Sequence, residues 1–282
     1  MQTIQSAITE ATALLIEVSD SAALDAEVLL CHILEKDRSY LRAWSEKRLS
    51  SSQRLQFQKL LQQRLDGQPI AYLVGKREFW SRDFKVSPDV LIPRPDTELL
   101  IELCLPLIPE NEPCKIIDLG TGSGIIGVTL AAERPNAIVI ASDISEKSLK
   151  IAKENAASHQ LKNISFQQSS WLDDIAPDEF DLIISNPPYI AADDPHLKQG
   201  DLRFEPQHAL VADDDGLKDI SLIAKSAYSY LKQGGHLLIE HGFEQQEMAQ
   251  MIFQTFSYAN IQTHKDLAGL PRVTSGQKLN DT

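Results

Sequence analysis

An apolar run, Phe180 to Ser185, leads directly into Asn186-Pro187-Pro188-Tyr189. The run reads as a buried strand, and the end of such a strand is where α/β proteins place their chemistry. Two consecutive prolines remove backbone donors and fix φ. The turn therefore presents carbonyl oxygens and the Asn186 amide in a preset geometry, with an aromatic ring beside them. That arrangement suits the holding of a planar –NH2 group, although Asn-Pro-Pro also serves simply to stop a strand. A second chemical segment lies upstream. Asp118-Leu119-Gly120-Thr121-Gly122-Ser123-Gly124 closes another apolar run, and its glycines allow a tight turn in which a ligand sits against bare backbone at a helix N-terminus. Gly122-Ser123-Gly124-Ile125-Ile126-Gly127 satisfies the dinucleotide fingerprint, and Asp143 stands at the next strand end, where a carboxylate takes ribose hydroxyls or caps the following helix. The loop suits either NAD or S-adenosylmethionine. The alternating Asp-x-Gly-x-Gly-x-Gly run, the single acid Asp143 ahead of a helix, and the Asn-Pro-Pro-Tyr turn favour the methyl donor; an NAD enzyme leaves that turn unexplained.

Composition narrows the field. The 282 residues, 43% of them hydrophobic, suffice for one large domain or two modest ones. No apolar stretch is long enough to cross a bilayer, and Met1 to Glu10 lacks a basic segment followed by an apolar one, so a cytoplasmic protein is expected. Cys31, Cys104 and Cys114 show no C-x-x-C spacing, and the seven histidines form no ligand pair with a carboxylate helper; neither disulfides nor a metal is expected. The 27 basic residues face 40 acidic ones, a formal charge of −13, which disfavours a nucleic-acid partner and favours a protein or small-molecule substrate.

The elements that must position these groups follow from periodicity. Residues 1–73, with Leu24, Val28, Leu29, Leu55, Leu60, Leu61 and Leu65 at helical spacing, read as a small helical bundle with those positions in its core. Asp20 or Ser21 caps one helix, Ser50 to Ser52 another, and Gly67-Gln68-Pro69 ends the last. Residues 74–90 read as a hairpin linker whose exposed aromatics, Phe79, Trp80 and Phe84, line a cleft. Residues 91–282 form the third segment. Leu91-Ile92-Pro93-Arg94-Pro95-Asp96-Thr97-Glu98 is a stiffened loop feeding a helix capped by Asp96 or Thr97 and running toward Leu107. After Pro113 strands and helices alternate: Lys115 to Leu119, a helix after Gly124, Ala137 to Ser142, a helix from Ser145, Ile164 to Gln168, and Phe180 to Ser185. A helix over Leu217 to Leu231, a strand over Gly235 to Glu240, a helix from Phe243, and strands near Ile261 and Val273 follow. The alternation predicts a parallel sheet with helices on both faces. Gln277 to Thr282 read as frayed.

At these residues the chain resembles the class I S-adenosylmethionine-dependent methyltransferases. More narrowly it resembles the HemK/PrmC family of peptide chain release factor glutamine N5-methyltransferases. The resemblance spans nearly the whole chain: the helical N-terminal region, Phe79-Trp80, Ile92 to Glu98, the glycine loop, Asp143, the Asn-Pro-Pro-Tyr-Ile turn, Arg203-Phe204-Glu205-Pro206 with Ala209-Leu210, Glu240-His241-Gly242, and Gly269 to Thr274. It implies an α/β, Rossmann-like sheet, mostly parallel with its last strand antiparallel, behind a small N-terminal helical domain. It implies that Gly120, Thr121, Gly122, Ser123 and Gly124 contact S-adenosylmethionine, that Asp143 holds its ribose, that Trp171 lies beside the adenine, and that Asn186 also borders the donor. Asn186, Pro187, Pro188 and Tyr189 would receive the acceptor glutamine, with Asn186, Pro187 and Tyr189 as the catalytic set and no metal. The implied partner is a class I peptide chain release factor, gripped by the helical region, with no nucleic acid and no membrane. Asn-Pro-Pro-Tyr is shared with adenine N6-methyltransferases, so a DNA or RNA methyltransferase, a glutamine methyltransferase of a ribosomal protein, and a non-catalytic adaptor on the same fold stand as the other readings. Pro93 to Glu98 looks like the release-factor enzymes. Gly276-Gln277 departs from the Gly-Arg common in relatives. Asp118 is expected to orient the glycine loop, and Glu240-His241 to be structural.

Overall fold

The computed structural model describes residues 2–279, and its chain divides into two compact units, residues 1–76 with 196–204, and residues 77–195 with 205–282. The first unit is helical: α1 (Ile4–Leu15), α2 (Ala22–Leu34), α3 (Arg38–Ala43), α4 (Ser51–Leu65) and the short α5 (Ile70–Val74). Its helix starts are written in the sequence. Thr3 with Ser6, and Ser50 with Gln53, form reciprocal capping boxes that satisfy amides left open at the first turns. Ser21 holds the cap position of α2 without capping it, because its hydroxyl donates to Asp25 instead. Gly67 and Gln68 end α4, but the chain resumes helix at Ile70. Leu29 and Leu61 are buried beside Phe57, whereas Leu24 and Leu55 lie on the solvent face, 44% and 70% exposed, so the expected apolar stripe is narrower than its leucines suggest. Beneath them the buried Asp25 carboxylate meets Arg64 at 2.8 Å, with Ser19 and Ser21 donating to its oxygens.

The second unit opens on a hairpin, β1 (Lys76–Phe79) and β2 (Arg82–Lys85), then α6 (Glu98–Cys104). Phe79 and Phe84 are fully buried in the core at an edge-to-face angle, so the aromatics expected to line a cleft instead anchor the hairpin; only Trp80 is partly exposed. The sheet elements are β3 (Lys115–Leu119), α7 (Ile125–Glu133), β4 (Ile138–Asp143), α8 (Glu146–Ser158), β5 (Ile164–Gln168) and β6 (Phe180–Ser185). The two-residue strands β7 (Ile190–Ala191) and β8 (Val211–Ala212) pair with each other and lead into α9 (Asp213–Gly216) and α10 (Lys218–Tyr230). Then come β9 (Leu231–Glu240), α11 (Gln246–Thr255), β10 (Ala259–Lys265) and β11 (Pro271–Gln277). Gln277 is paired in the sheet and the Lys278 amide donates to Gly235, so these two are ordered where fraying was expected; residues 280–282 lie outside the described residues.

Among the described residues, seven strands form one sheet in the order β10-β11-β9-β6-β3-β4-β5, with β11 antiparallel to both neighbours and β9-β6-β3-β4-β5 parallel. Successive residues of β3 and β6 feed opposite cores. Ile116, Leu182 and Ile184 pack with α6 and α7, while Ile117 and Ile183 pack with α10 and α11. A strand buried on both faces is apolar on both, which is why Ile116, Ile117 and Leu119, and Leu182 to Ile184, do not alternate with polar residues; the buried Asp118 is the exception. No helix among the described residues is long and apolar enough to cross a membrane.

Candidate active site

In a doubly wound sheet the crevice opens where the strand order reverses, here between β3 and β6 at their C-terminal ends. Register fixes what stands there. Leu119 pairs with Ser185 and Ser185 with Ile239, so the next residues along, Gly120, Asn186 and Glu240, emerge side by side. The Ser185 hydroxyl donates to the Leu119 carbonyl at 2.8 Å and ties the two strand ends together. A cavity of about 600 Å³ opens here, lined by Gly120, Gly122, Asp143, Trp171, Asn186 and Pro188 among others.

The glycine loop is held from behind by a buried acid. Asp118 Oδ2 accepts the Thr121 hydroxyl at 2.6 Å and the Gly127 amide at 2.9 Å; burial nevertheless pushes its carboxyl up to about 6, and Oδ1 has no partner among the described residues. Asp143 reaches across from β4. Its Oδ2 accepts the Gly122 amide at 2.9 Å and its Oδ1 the Ser145 amide at 2.8 Å, while burial raises its pKa. Each oxygen keeps a lone pair for a further donor. At Gly122 φ is +56° and a Cβ would meet nothing within 4 Å, so this is open space against bare backbone. Trp171 donates from Nε1 to Asp219 on α10 at 3.2 Å, which fixes its ring at the cavity wall. These features fit a nucleoside: a hydroxyl acceptor, an open backbone cradle and an aromatic face. Thr121, Ser123 and Gly124 stand behind the cradle rather than on its surface, with the Ser123 carbonyl taken by Asn155 and Gly124 at the cap of α7.

The second corner is assembled from distant segments. Asn186 donates from Nδ2 to Thr97 Oγ1 at 3.1 Å. The Glu240 carboxyl faces Thr97 and Asn186, and the Tyr189 hydroxyl points to its Oε1 at 3.5 Å. Burial pushes Glu240 up to about 7, and burial with that carboxyl alongside raises the Tyr189 phenol. Pro187 is buried and, like Tyr189, is not part of the cavity wall. Beyond Tyr189 the turn is clamped. Gln245 donates to the Tyr189 carbonyl at 3.0 Å, and Gly216 approaches so closely that a Cβ there would lie 2.1 Å from that oxygen. The loop before α6 is held by Glu205, which accepts the Ile92 amide at 2.9 Å and pairs with Arg94, while Arg272 bridges Asp96 and Asp266.

Two members of this corner were not recognised from sequence as site residues. Thr97 reads as a helix cap, but its hydroxyl caps nothing and is committed to Asn186. Glu240 reads as structural, yet the register aligns it with Asn186; an expected parallel neighbour relation of the two strand ends is the signal that finds it.

The sheet order and its cavity define a class I methyltransferase. Among solved structures, a methyltransferase from Pyrococcus furiosus superposes with a TM-score of 0.55 at 15% identity, covering 78% of this chain and 98% of that one. The Thermus thermophilus 16S rRNA N2 G1207 methyltransferase gives 0.53 at 19% identity, covering 72% and 49%; at such identities the likeness is one of fold. Residues 110–280 match the family described as Methyltransferase domain, and residues 6–75 the PrmC N-terminal domain. The release factor glutamine methyltransferase of Aliivibrio fischeri is 49% identical over 95% of this chain and 94% of its own. Those of Vibrio cholerae (47%, covering 98% and 96%) and Escherichia coli K12 (45%, covering 93% and 94%) are similar. The chain belongs to the release factor glutamine methyltransferase family.

Proposed function

We propose that this protein transfers the methyl group of S-adenosylmethionine to the side-chain nitrogen (N5) of the glutamine in the Gly-Gly-Gln motif of class I peptide chain release factors. What carries the reading is one cavity edged by both the glycine loop and Asn186, in a chain that matches its relatives over nearly their whole length. When bound, S-adenosylmethionine supplies a methyl group already activated by a positively charged sulfur. Asp143 would hold its ribose hydroxyls, the backbone at Gly120 and Gly122 would pass beneath it, and Trp171 would lie beside the adenine.

A glutamine nitrogen is a weak nucleophile because its lone pair is delocalised into the carbonyl. In this reading Asn186 Oδ1 and the Pro187 carbonyl accept its two hydrogens, which turns the lone-pair face toward the methyl, and Tyr189 closes over the amide plane. The same two oxygens stabilise positive charge as it develops on nitrogen, and the surplus proton departs after the N–C bond has formed. Such alignment supplies on the order of 7 to 11 kcal/mol of barrier lowering in favourable systems, so positioning alone accounts for much of the rate. The helical unit is assigned the grip on the rest of the release factor. The chain's formal charge of −13 favours that protein acceptor over DNA or RNA.

The test is incubation with isotopically labelled donor, once with a class I release factor and once with duplex DNA or RNA, followed by mass-spectrometric localisation. One added methyl on the glutamine side chain is expected; label in the nucleic acid alone overturns the reading.

A further inference from the structure

A side-chain amide has two faces of opposite character, and only one serves a substrate that arrives as an –NH2 group. If Asn186 presented its own –NH2 to the acceptor, two donors would face each other; catalysis needs Oδ1 there. Nothing within Asn186 chooses, because oxygen and nitrogen are nearly isosteric. The choice must come from what stands at the other end of the amide.

There the structure places Thr97 and Glu240. Asn186 Nδ2 donates to Thr97 Oγ1 at 3.1 Å. Thr97 and Glu240 are 0% and 1% exposed, so water does not compete for either. The Thr97 hydroxyl has a single proton, and it faces the Glu240 carboxyl, whose buried Oε2 is an acceptor left without a hydrogen-bond partner among the described residues. With its proton turned toward that open acceptor, Thr97 offers Asn186 only lone pairs, which an N–H can use and a carbonyl oxygen cannot. The second Asn186 hydrogen also faces the Glu240 carboxyl. The Asn186 –NH2 is thus turned to the protein side, and an ionised Glu240, which has no proton to give, favours this most strongly. Even when protonated, the carboxyl keeps accepting capacity. Reversing the amide would set Oδ1 against a carboxyl and a hydroxyl whose proton faces that carboxyl, and leave a buried acceptor without a donor.

We propose that Thr97 and Glu240 are positioning residues that set the Asn186 amide the one way round that turns Oδ1 toward the acceptor nitrogen. The proposal rests on the reading of Asn186 as the group that accepts the substrate amide hydrogens. Neither residue touches substrate; they act by polarity, through Asn186. The three sit on separate segments, brought together by the β6–β9 register and the start of α6.

Thr97→Val is the test, because valine keeps the shape and removes the hydroxyl. Turnover of a release factor should fall about 10- to 100-fold. The dissociation constant for S-adenosylmethionine, measured by calorimetry on the same preparation, should stay within about twofold and so report an intact fold. Thr97→Ser restores the hydroxyl and should recover turnover to within about threefold of the parent, which filling of space alone does not predict. Glu240→Gln, which can offer either an acceptor or a donor to Thr97, should lose activity through kcat while donor affinity holds. If Thr97→Val turns over like the parent while Asn186→Ala is inert, the relay is wrong and the functional reading stands. If Asn186→Ala is itself active, both fall. If Thr97→Val loses donor binding in step with turnover, or Thr97→Ser fails to recover, the role is structural and the proposal is overturned.

Discussion

The two corners of the cavity are built in opposite ways. The glycine-loop corner is mostly local: Asp118, Thr121, Gly122 and Gly127 lie within ten residues of one another, with Asp143 added by the next strand and Trp171 from beyond β5. The amide corner takes Thr97, Asn186 and Glu240 from segments 89 and 54 residues apart, joined by strand register and a helix start. A local site survives as long as its turn folds. A register-built site depends on every strand between its members, and a hydroxyl or carboxylate far along the chain can be as decisive as the residue that touches substrate.

Variants can break this contrast or sharpen it. The largest effect is expected at Asn186, where alanine should cost about 10²- to 10³-fold or more in kcat with donor binding little changed, read by single-turnover kinetics and calorimetry. Asp143→Ala should show the reverse split. Its charged hydrogen bonds are worth about 1.5 to 3 kcal/mol each, so donor affinity should weaken by about tenfold or more, while saturating donor recovers much of kcat. Equal loss of donor affinity in both variants would erase the distinction between the corners.

A smaller effect should appear in stability. Glu240 is raised from an ordinary 4.5 to about 7 by burial. Between those values the folded chain binds a proton that the unfolded chain releases, so its contribution to stability is full below about 4.5 and is lost as pH rises through about 7. Glu240→Gln cannot suffer that loss. Its melting temperature relative to the parent should therefore climb by several degrees between about pH 5 and pH 8, even as activity falls; a flat difference in calorimetric scans would refute the raised carboxyl. Smallest of all, Leu55→Gln on the exposed face of α4 should shift stability by no more than about 0.5 kcal/mol in denaturant titration, whereas Phe57→Ala two residues on should cost about 3 to 5 kcal/mol.

The same contrast explains what could be read from the chain before folding. The strand spans Lys115 to Leu119 and Phe180 to Ser185 were legible because central strands buried on both faces are dominated by apolar residues and bounded by turn residues, whereas Ile164 to Gln168, an edge strand, was legible from its place in the strand–helix alternation. The glycine loop was legible because backbone conformation is encoded locally. Thr97 was not: before a helix, a threonine looks like a cap, and only the folded sheet shows its hydroxyl turned to Asn186. Phe79 and Phe84 misled because four-residue strands do not say which face is covered, and here α8 and the main core cover it. Leu24 and Leu55 misled because helical spacing marks a face but not its width.

One consequence of the paired strand ends concerns insertions and deletions. Side chains alternate between the two sheet faces, so Asn186 and Glu240 share the α6 side only because β6 and β9 are in step. One extra residue within 182–184, where β6 and β9 run in step beyond the irregularity at Phe180–Leu182, would swing Asn186 to the opposite side, leaving Glu240 behind, without altering a single residue of the Asn-Pro-Pro-Tyr turn. The sheet thus works as a ruler for the chemistry over its in-step stretch: lengths there are quantised in pairs, and drift in length is taken up at the irregularity before Leu182 or in the loops off the ruler's edge.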